Sequence, residues 1–291
     1  MAPMKYSLFT LSVPECTPVE AAKIIKEAGY DGVEWRCTEQ PETLSLIPDF
    51  WASNRATLDV KKWKSVVPEF RKITSDHGLE CSNLGCYCRV PDFEGIKVSI
   101  EIARALGCPR LRVSCPGYDG KTNYWDLLKR TRDDYARAAE LCRDAGLQGL
   151  MELHAGILGP SASGAFRIVE GLDPKHMGVM FDPGNMVVEG FEPWKMGCEI
   201  LGSHLAYCHA KNMRLRVSGV TESGGLKWDQ EACEMHAGFV DWLAVFKAFH
   251  AVGYNGWVSN EDHFMSRGGP LERIRNGLLH LKRCEEIAAR A

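Results

Sequence analysis

Four short apolar runs, GLMELH (149–154), MGVMFD (177–182), LAYCHA (205–210) and GWVSNE (256–261), each carry an acid or imidazole at or near their end: Glu152, Asp182, His209 and Glu261. If these runs are successive parallel strands of one barrel, their ends meet at one rim, where the four side chains could share one divalent cation. Side chains alternate faces along a strand, so Glu152 points the same way as His154, Asp182 as Met180, and His209 as Tyr207 and Lys211. Ser259, Glu261 and His263 likewise share a face.

The same rhythm runs outward in both directions. Four further runs read as strands, MKYSLFT (4–10), YDGVEWRC (30–37), LECSNLGCY (79–87) and PRLRVSC (109–115). Amphipathic segments lie between them, among them PVEAAKIIKEAG (18–29), VPEFRKITSDHG (67–78), DLLKRTRDDYARAAELCRDAG (126–146) and WLAVFKAFHAVG (242–253), several stopping at Gly just before the next strand. Eight strand and helix units in 291 residues predict the α/β class and a single (β/α)8 TIM barrel domain over 1–291. A doubly wound open sheet is the other arrangement of such units, but no GxGxxG or GxxxxGKS loop follows any candidate strand. Long connections at 37–62 and 212–239 fall after strands, where a barrel builds either catalytic lids or plain surface insertions.

Composition narrows the function classes. With 45% hydrophobic and 25% charged residues and a net charge of −3, the chain is globular and has no Lys/Arg stripe for nucleic acid or a membrane surface. No apolar run approaches the roughly 20 residues that cross a bilayer, and the broken opening MAPMKYSLFTLSVPEC is unlike a signal peptide, so the expectation is a cytoplasmic protein. The twelve cysteines are scattered as buried hydrophobes would be. The cluster Cys81, Cys86 and Cys88 lacks a second cluster to complete a zinc site and reads as strand residues.

Three carboxylates and one imidazole make a hard, oxygen-rich set suited to one divalent ion, Mn2+ first, with Mg2+ or Co2+ as alternatives. Any one of the four taken alone is better explained by a Lys or Arg salt bridge across the rim, whereas the four together point to the ion. Other side chains have two readings each. His154 is either a general acid or base beside Glu152 or a histidine satisfied by a backbone carbonyl. Lys211 and Arg36 touch substrate or form rim salt bridges, and His263 is a weaker candidate. Trp35, Trp51, Trp228 and Trp257 read mainly as packing, with Trp228, in the long loop, the one placed to reach a ligand.

The stretches GYDGVEWR, MELHAG, FDPGNM and HAKN, with the Glu261 strand and a last helix behind it, resemble the sugar isomerase/epimerase-like, or xylose isomerase-like, barrel superfamily. It includes ketose 3-epimerases, inosose dehydratase, hydroxypyruvate isomerase and C-glycoside deglycosidase catalytic subunits and, more distantly, xylose isomerase and endonuclease IV. The resemblance spans the whole chain and implies that Glu152, Asp182, His209 and Glu261 are metal ligands. It also implies that Glu152 and Glu261 move protons on the two faces of a chelated hydroxyketone, through an enediolate that the cation stabilises. The alternative keeps both glutamates as ligands only.

Two departures weigh against a strict ketose 3-epimerase. Asn185 stands where those enzymes carry a histidine three residues after the ligand aspartate, and it can bind a hydroxyl but not relay a proton. The expected arginine six residues beyond the seventh-strand histidine falls on Leu215, leaving Arg214 and Arg216 as substitutes. The leading expectation is thus a metal-dependent isomerase or epimerase acting on a ketose or related sugar. The alternative is a lyase that eliminates the C1 substituent of a 3-keto-glycoside or dehydrates an inosose-like polyol. A DNA-repair enzyme conflicts with the charge, and a non-catalytic sugar-binding module is the remaining class. The expected partner is a small sugar or glycoside, with no nucleic acid or membrane, and the expected assembly is a homo-oligomer, with a small partner subunit as a variant.

Overall fold

The structure, a computed structural model, describes residues 3–265 and 268–290. Its strands are β1 (Lys5–Phe9), β2 (Gly32–Thr38), β3 (Thr57–Asp59), β4 (Glu80–Cys86), β5 (Arg110–Arg112), β6 (Gln148–Glu152), β7 (Met177–Phe181), β8 (Leu205–Ala210), β9 (Asn212–Val220), β10 (Leu226–Cys233) and β11 (Trp257–Asn260). Parallel pairing runs β1-β2-β4-β5-β6-β7-β8-β11 and returns to β1, which closes an eight-stranded barrel. Those eight strands correspond to the eight apolar runs, and helices cover the barrel outside, as expected for a (β/α)8 fold.

Helix ends follow local chemistry. Thr17 and Glu20 form a reciprocal capping box at the start of the Pro18–Ala28 helix. Gly253 ends the Trp242–Val252 helix with φ of 76°, a left-handed turn that L side chains resist, and hands the chain toward β11. That helix buries Trp242, Val245, Phe246 and Phe249 against the barrel.

Both long connections, expected as lids or plain surface insertions, contain strands. The 37–62 segment returns β3 to the end of β2, parallel to it and outside the closed ring. The 212–239 segment is an antiparallel β9–β10 hairpin with mostly exposed residues. Its polar–apolar alternation is a strand signal, but with both faces largely in solvent it lacks the apolar bias that marked the others. All twelve cysteines are free thiols, and among the described residues no helix is long and apolar enough to cross a membrane.

Candidate metal centre

Inward-facing residues climb the barrel two at a time. Leu150, Met180, Tyr207 and Trp257 form a buried apolar layer low in the barrel. Two residues further along their strands stand Glu152, Asp182 and His209, and Glu261 stands four beyond Trp257, as strand alternation requires. The ligand atoms of these four buried side chains lie within 4.8 Å of one another at the C-terminal mouth. Among the described residues, no other group of three or more His, Cys, Asp or Glu converges in this way, and the cysteines at 81, 86 and 88 stay thiols, with Cys86 Sγ 3.7 Å from Cys88 Sγ.

His209 is the hub of this cluster. Its Nδ1 faces Glu152 Oε1 at 3.0 Å and Glu261 Oε2 at 3.3 Å, while Nε2 meets both oxygens of Glu34 at 3.0 Å. Burial pushes the imidazole toward neutrality, but Glu34 and Glu261 outweigh it and raise its pKa well above the ordinary value. On the mouth side, Lys211 Nζ reaches between Asp182 Oδ2 at 2.6 Å and Glu261 Oε2 at 2.5 Å. An ammonium thus stands among the carboxylates where an added cation would be held.

Gly184, in the DPGN stretch, makes that reach possible. A Cβ there would collide with Lys211 Cγ and crowd its backbone oxygen at 3.1 Å. Asn185 donates from Nδ2 to Asp182 Oδ2 at 2.7 Å and to the Leu153 carbonyl at 3.0 Å, locking the aspartate in place.

Charge in the cluster is unevenly met. Burial works to raise the Glu152 carboxyl, yet Arg112 and His209 hold it well below the usual range, and Lys211 and His209 do the same for Glu261 against its burial. Asp182 goes the other way. Burial pushes it up to about 6, with Lys211 and His209 opposing the rise and the Glu261 and Glu152 charges adding to it. Counted as ionised, Glu34, Glu152, Asp182 and Glu261 are balanced by Lys211, Arg112 and two further positive charges. A divalent ion beside a neutral His209 supplies those two, so the donor set and its charge both fit such an ion.

Two members of this network were not singled out from sequence. Glu34, fully buried on β2, accepts from Tyr207 Oη at 3.0 Å and Asn83 Nδ2 at 2.8 Å besides facing His209. Arg112 on β5 donates from Nη1 to Glu152 Oε2 at 2.8 Å and from Nε to the Cys86 carbonyl at 2.9 Å, its guanidinium 4.4 Å from the Tyr87 ring centroid. The signal was present as a charge between two apolar neighbours, in VEW and LRV. A lone buried charge needs a partner, but the partners are 175 and 40 positions away.

The other candidates fall in different places. His154 is exposed at the mouth, its Nδ1 2.7 Å from the Ala155 carbonyl oxygen, and shares a recess with Glu152. Arg36 is buried, donating to Thr57 Oγ1 at 2.7 Å and the Trp51 carbonyl at 2.6 Å, so it braces the 51–57 rim segment. The structure does not bring Arg214 and Arg216 into the cluster, because both lie exposed on the hairpin and pair with Glu231. Trp228 is exposed on the same hairpin, Trp35 packs edge-on against Phe70, and Trp257 belongs to the low apolar layer. Trp51 and Phe50 lie about 6.0 and 6.1 Å from the His263 ring.

The chain belongs to the xylose isomerase-like TIM barrel family, which it matches over residues 22–284. Among its relatives is the inosose dehydratase of Geobacillus kaustophilus (strain HTA426), 24% identical over 139 residues, which are 46% of this chain and 44% of that protein. The alignment thus spans less than half the length of that relative. Two solved structures share the fold across nearly the whole chain. One is the 3-keto-D-glucoside 4-epimerase YcjR from E. coli, with TM-score 0.69, 17% identity, and 97% and 100% of the two chains covered. The other is IOLI protein with a bound zinc atom, with TM-score 0.75, 14% identity, and 98% and 99% covered.

Proposed function

We propose that this chain is a divalent-metal-dependent enzyme of the sugar isomerase/epimerase type, which removes a proton alpha to the carbonyl of a ketose or related sugar and returns it. The observation that carries the reading is the convergence of Glu152, Asp182, His209 and Glu261 within 4.8 Å at the barrel mouth, with the Lys211 ammonium lodged between two of them. Manganese is the ion we assign, with magnesium and cobalt as alternatives, and the zinc of IOLI protein supports a divalent ion in a barrel of this fold. Such an ion, when bound, would polarise the substrate carbonyl.

The chain's own residues divide the remaining work. Glu152 and Glu261 are both held in the base form at neutral pH, one by Arg112 and the other by Lys211, so one takes a proton from one face of the carbon while the other serves the opposite face. Glu34 orients His209, and Asn185 fixes Asp182. The Lys211 ammonium offers positive charge to oxygen that becomes anionic as the proton leaves. Arg36, bracing the rim, acts as a substrate-side support, and we assign Arg214 and Arg216 no contact with the reacting carbon.

A second reading is favoured by His154, whose exposed ring shares a recess with Glu152, and by the inosose dehydratase relative. In a lyase on this site a glutamate would take the alpha proton, the leaving group would depart with its bonding electrons, and His154 would protonate it. Incubation of the manganese-loaded protein in D2O with free ketoses and, separately, with 3-keto-glycosides distinguishes the two. Deuterium uptake without fragmentation is the expected outcome, and aglycone release would move the assignment to the lyase. Neither result with any of the three metals, or full turnover by Glu152→Gln, would overturn the proposal.

A further inference from the structure

Beside the metal centre lies a recess of about 360 Å³ that has Glu152 as one wall and Tyr87, Arg89, Arg112, Ser114 and His154 among the others. The charge around it is lopsided. Glu152 is the one acid on that wall and is already engaged by Arg112 and His209. Arg89 is exposed, and its guanidinium has no ion pair or hydrogen bond among the described residues. Arg112 is 96% buried, since its relative exposure is 4%, and although Nη1 and Nε are used, its Nη2 has no hydrogen-bond partner. A guanidinium nitrogen buried without an acceptor is costly and is normally paired.

Deepening the functional reading above, and resting on it, we infer that this recess takes an anionic oxygen group, a carboxylate or a phosphate ester, carried by the sugar at a carbon remote from the carbonyl. Guanidinium groups match such oxygens with paired donors. Arg89 is an exposed residue of the recess lining, where its guanidinium would be open to an anion arriving from solvent, and Arg112 links the recess to Glu152. The Arg112 guanidinium lies over the Tyr87 ring, 4.4 Å from its centroid, a contact that favours its positive charge at this wall. His154 adds an imidazole to the same side. A neutral ketose would bring no charge to Arg89 and no acceptor to the unpartnered Arg112 nitrogen, so the recess would discriminate between acid and neutral sugars of one skeleton.

Equilibrium dialysis of the manganese-loaded protein against D-fructuronate, D-fructose 6-phosphate and D-fructose tests this, with retained metal measured in the same samples. At least one of the two acids should bind at least tenfold tighter than fructose, about 1.4 kcal/mol. Whichever acid holds the advantage identifies a carboxylate or a phosphate ester. Arg89→Gln, an exposed change that leaves the core untouched, should cut that advantage to about threefold or less while fructose affinity and retained manganese stay the same. Manganese retained with all three sugars bound equally would overturn the inference and leave the functional reading standing. An acid preference unchanged in Arg89→Gln would overturn it as well. Loss of manganese and of all sugar binding in the wild-type chain would instead bring down the functional reading, and this inference with it.

Discussion

Lys211 and Arg214 are three residues apart and both end in ion pairs with acids, but the barrel encloses the first and water surrounds the second. Lys211 lies between Asp182 and Glu261 with all three side chains at least nine-tenths buried. Arg214 and Arg216 meet Glu231 on a hairpin where the arginine side chains are 46% and 59% exposed. In solvent such pairs are screened and matter little. Inside the barrel each charge has surrendered its hydration, and removing one member strands the others. Similar residue types in one stretch of chain therefore belong to a buried charge cluster in one place and to a solvated surface in the other, and enclosure makes the difference.

Lys211→Met gives the largest expected effect. With a chelator present it should destabilise the fold by about 3–5 kcal/mol, because two buried carboxylates lose their cation. Manganese at about a hundred times its Kd should then restore about 2.7 kcal/mol. Urea titrations of the variant with and without metal measure both quantities, and a variant that manganese fails to stabilise would overturn the expectation.

Glu34→Gln sharpens the contrast within the barrel. The amide can still accept from Tyr207 but no longer offers His209 a charged partner at Nε2, and manganese affinity should fall by about 10–100-fold. Competition with a metal-sensitive dye reads this directly. An unchanged affinity would reduce Glu34 to a packing role.

Gly184→Ala asks whether the lysine's route matters. The added methyl meets the Lys211 stem, and the expected cost is about 1–3 kcal/mol of stability, together with a change in metal affinity that a mere packing defect elsewhere would not produce. Smallest of all, Glu231→Gln on the hairpin should leave the urea midpoint and manganese affinity unmoved. A clear loss there would show that the hairpin pairs are coupled to the mouth, and the comparison drawn above would collapse.

Periodicity alone brought out the eight barrel strands and the four converging residues, because an apolar run that ends in one acid or imidazole is a local pattern. Glu34 and Arg112 had local signals too, each a charge between two apolar neighbours, but their meaning depended on partners far along the chain. The hairpin at 212–239 hid its strands because exposed strands carry no apolar bias, and for the same reason Arg214 and Arg216 looked available for the site. His154, Asn185 and Lys211 were legible as residues near the mouth. Their separate jobs, an exposed imidazole on a recess, an amide holding an aspartate and an ammonium among carboxylates, were not.

By itself the sequence determined the barrel and the chemical type of its mouth, since alternation at a period of two fixes which side chains face inward and their identities fix the donors. Only the tertiary structure decided how those charges are matched. Closing the ring brings β2, β5, β6, β7, β8 and β11 to one mouth and excludes water there, and the worth of a charge depends on the partners and solvent around it rather than on its neighbours in the chain.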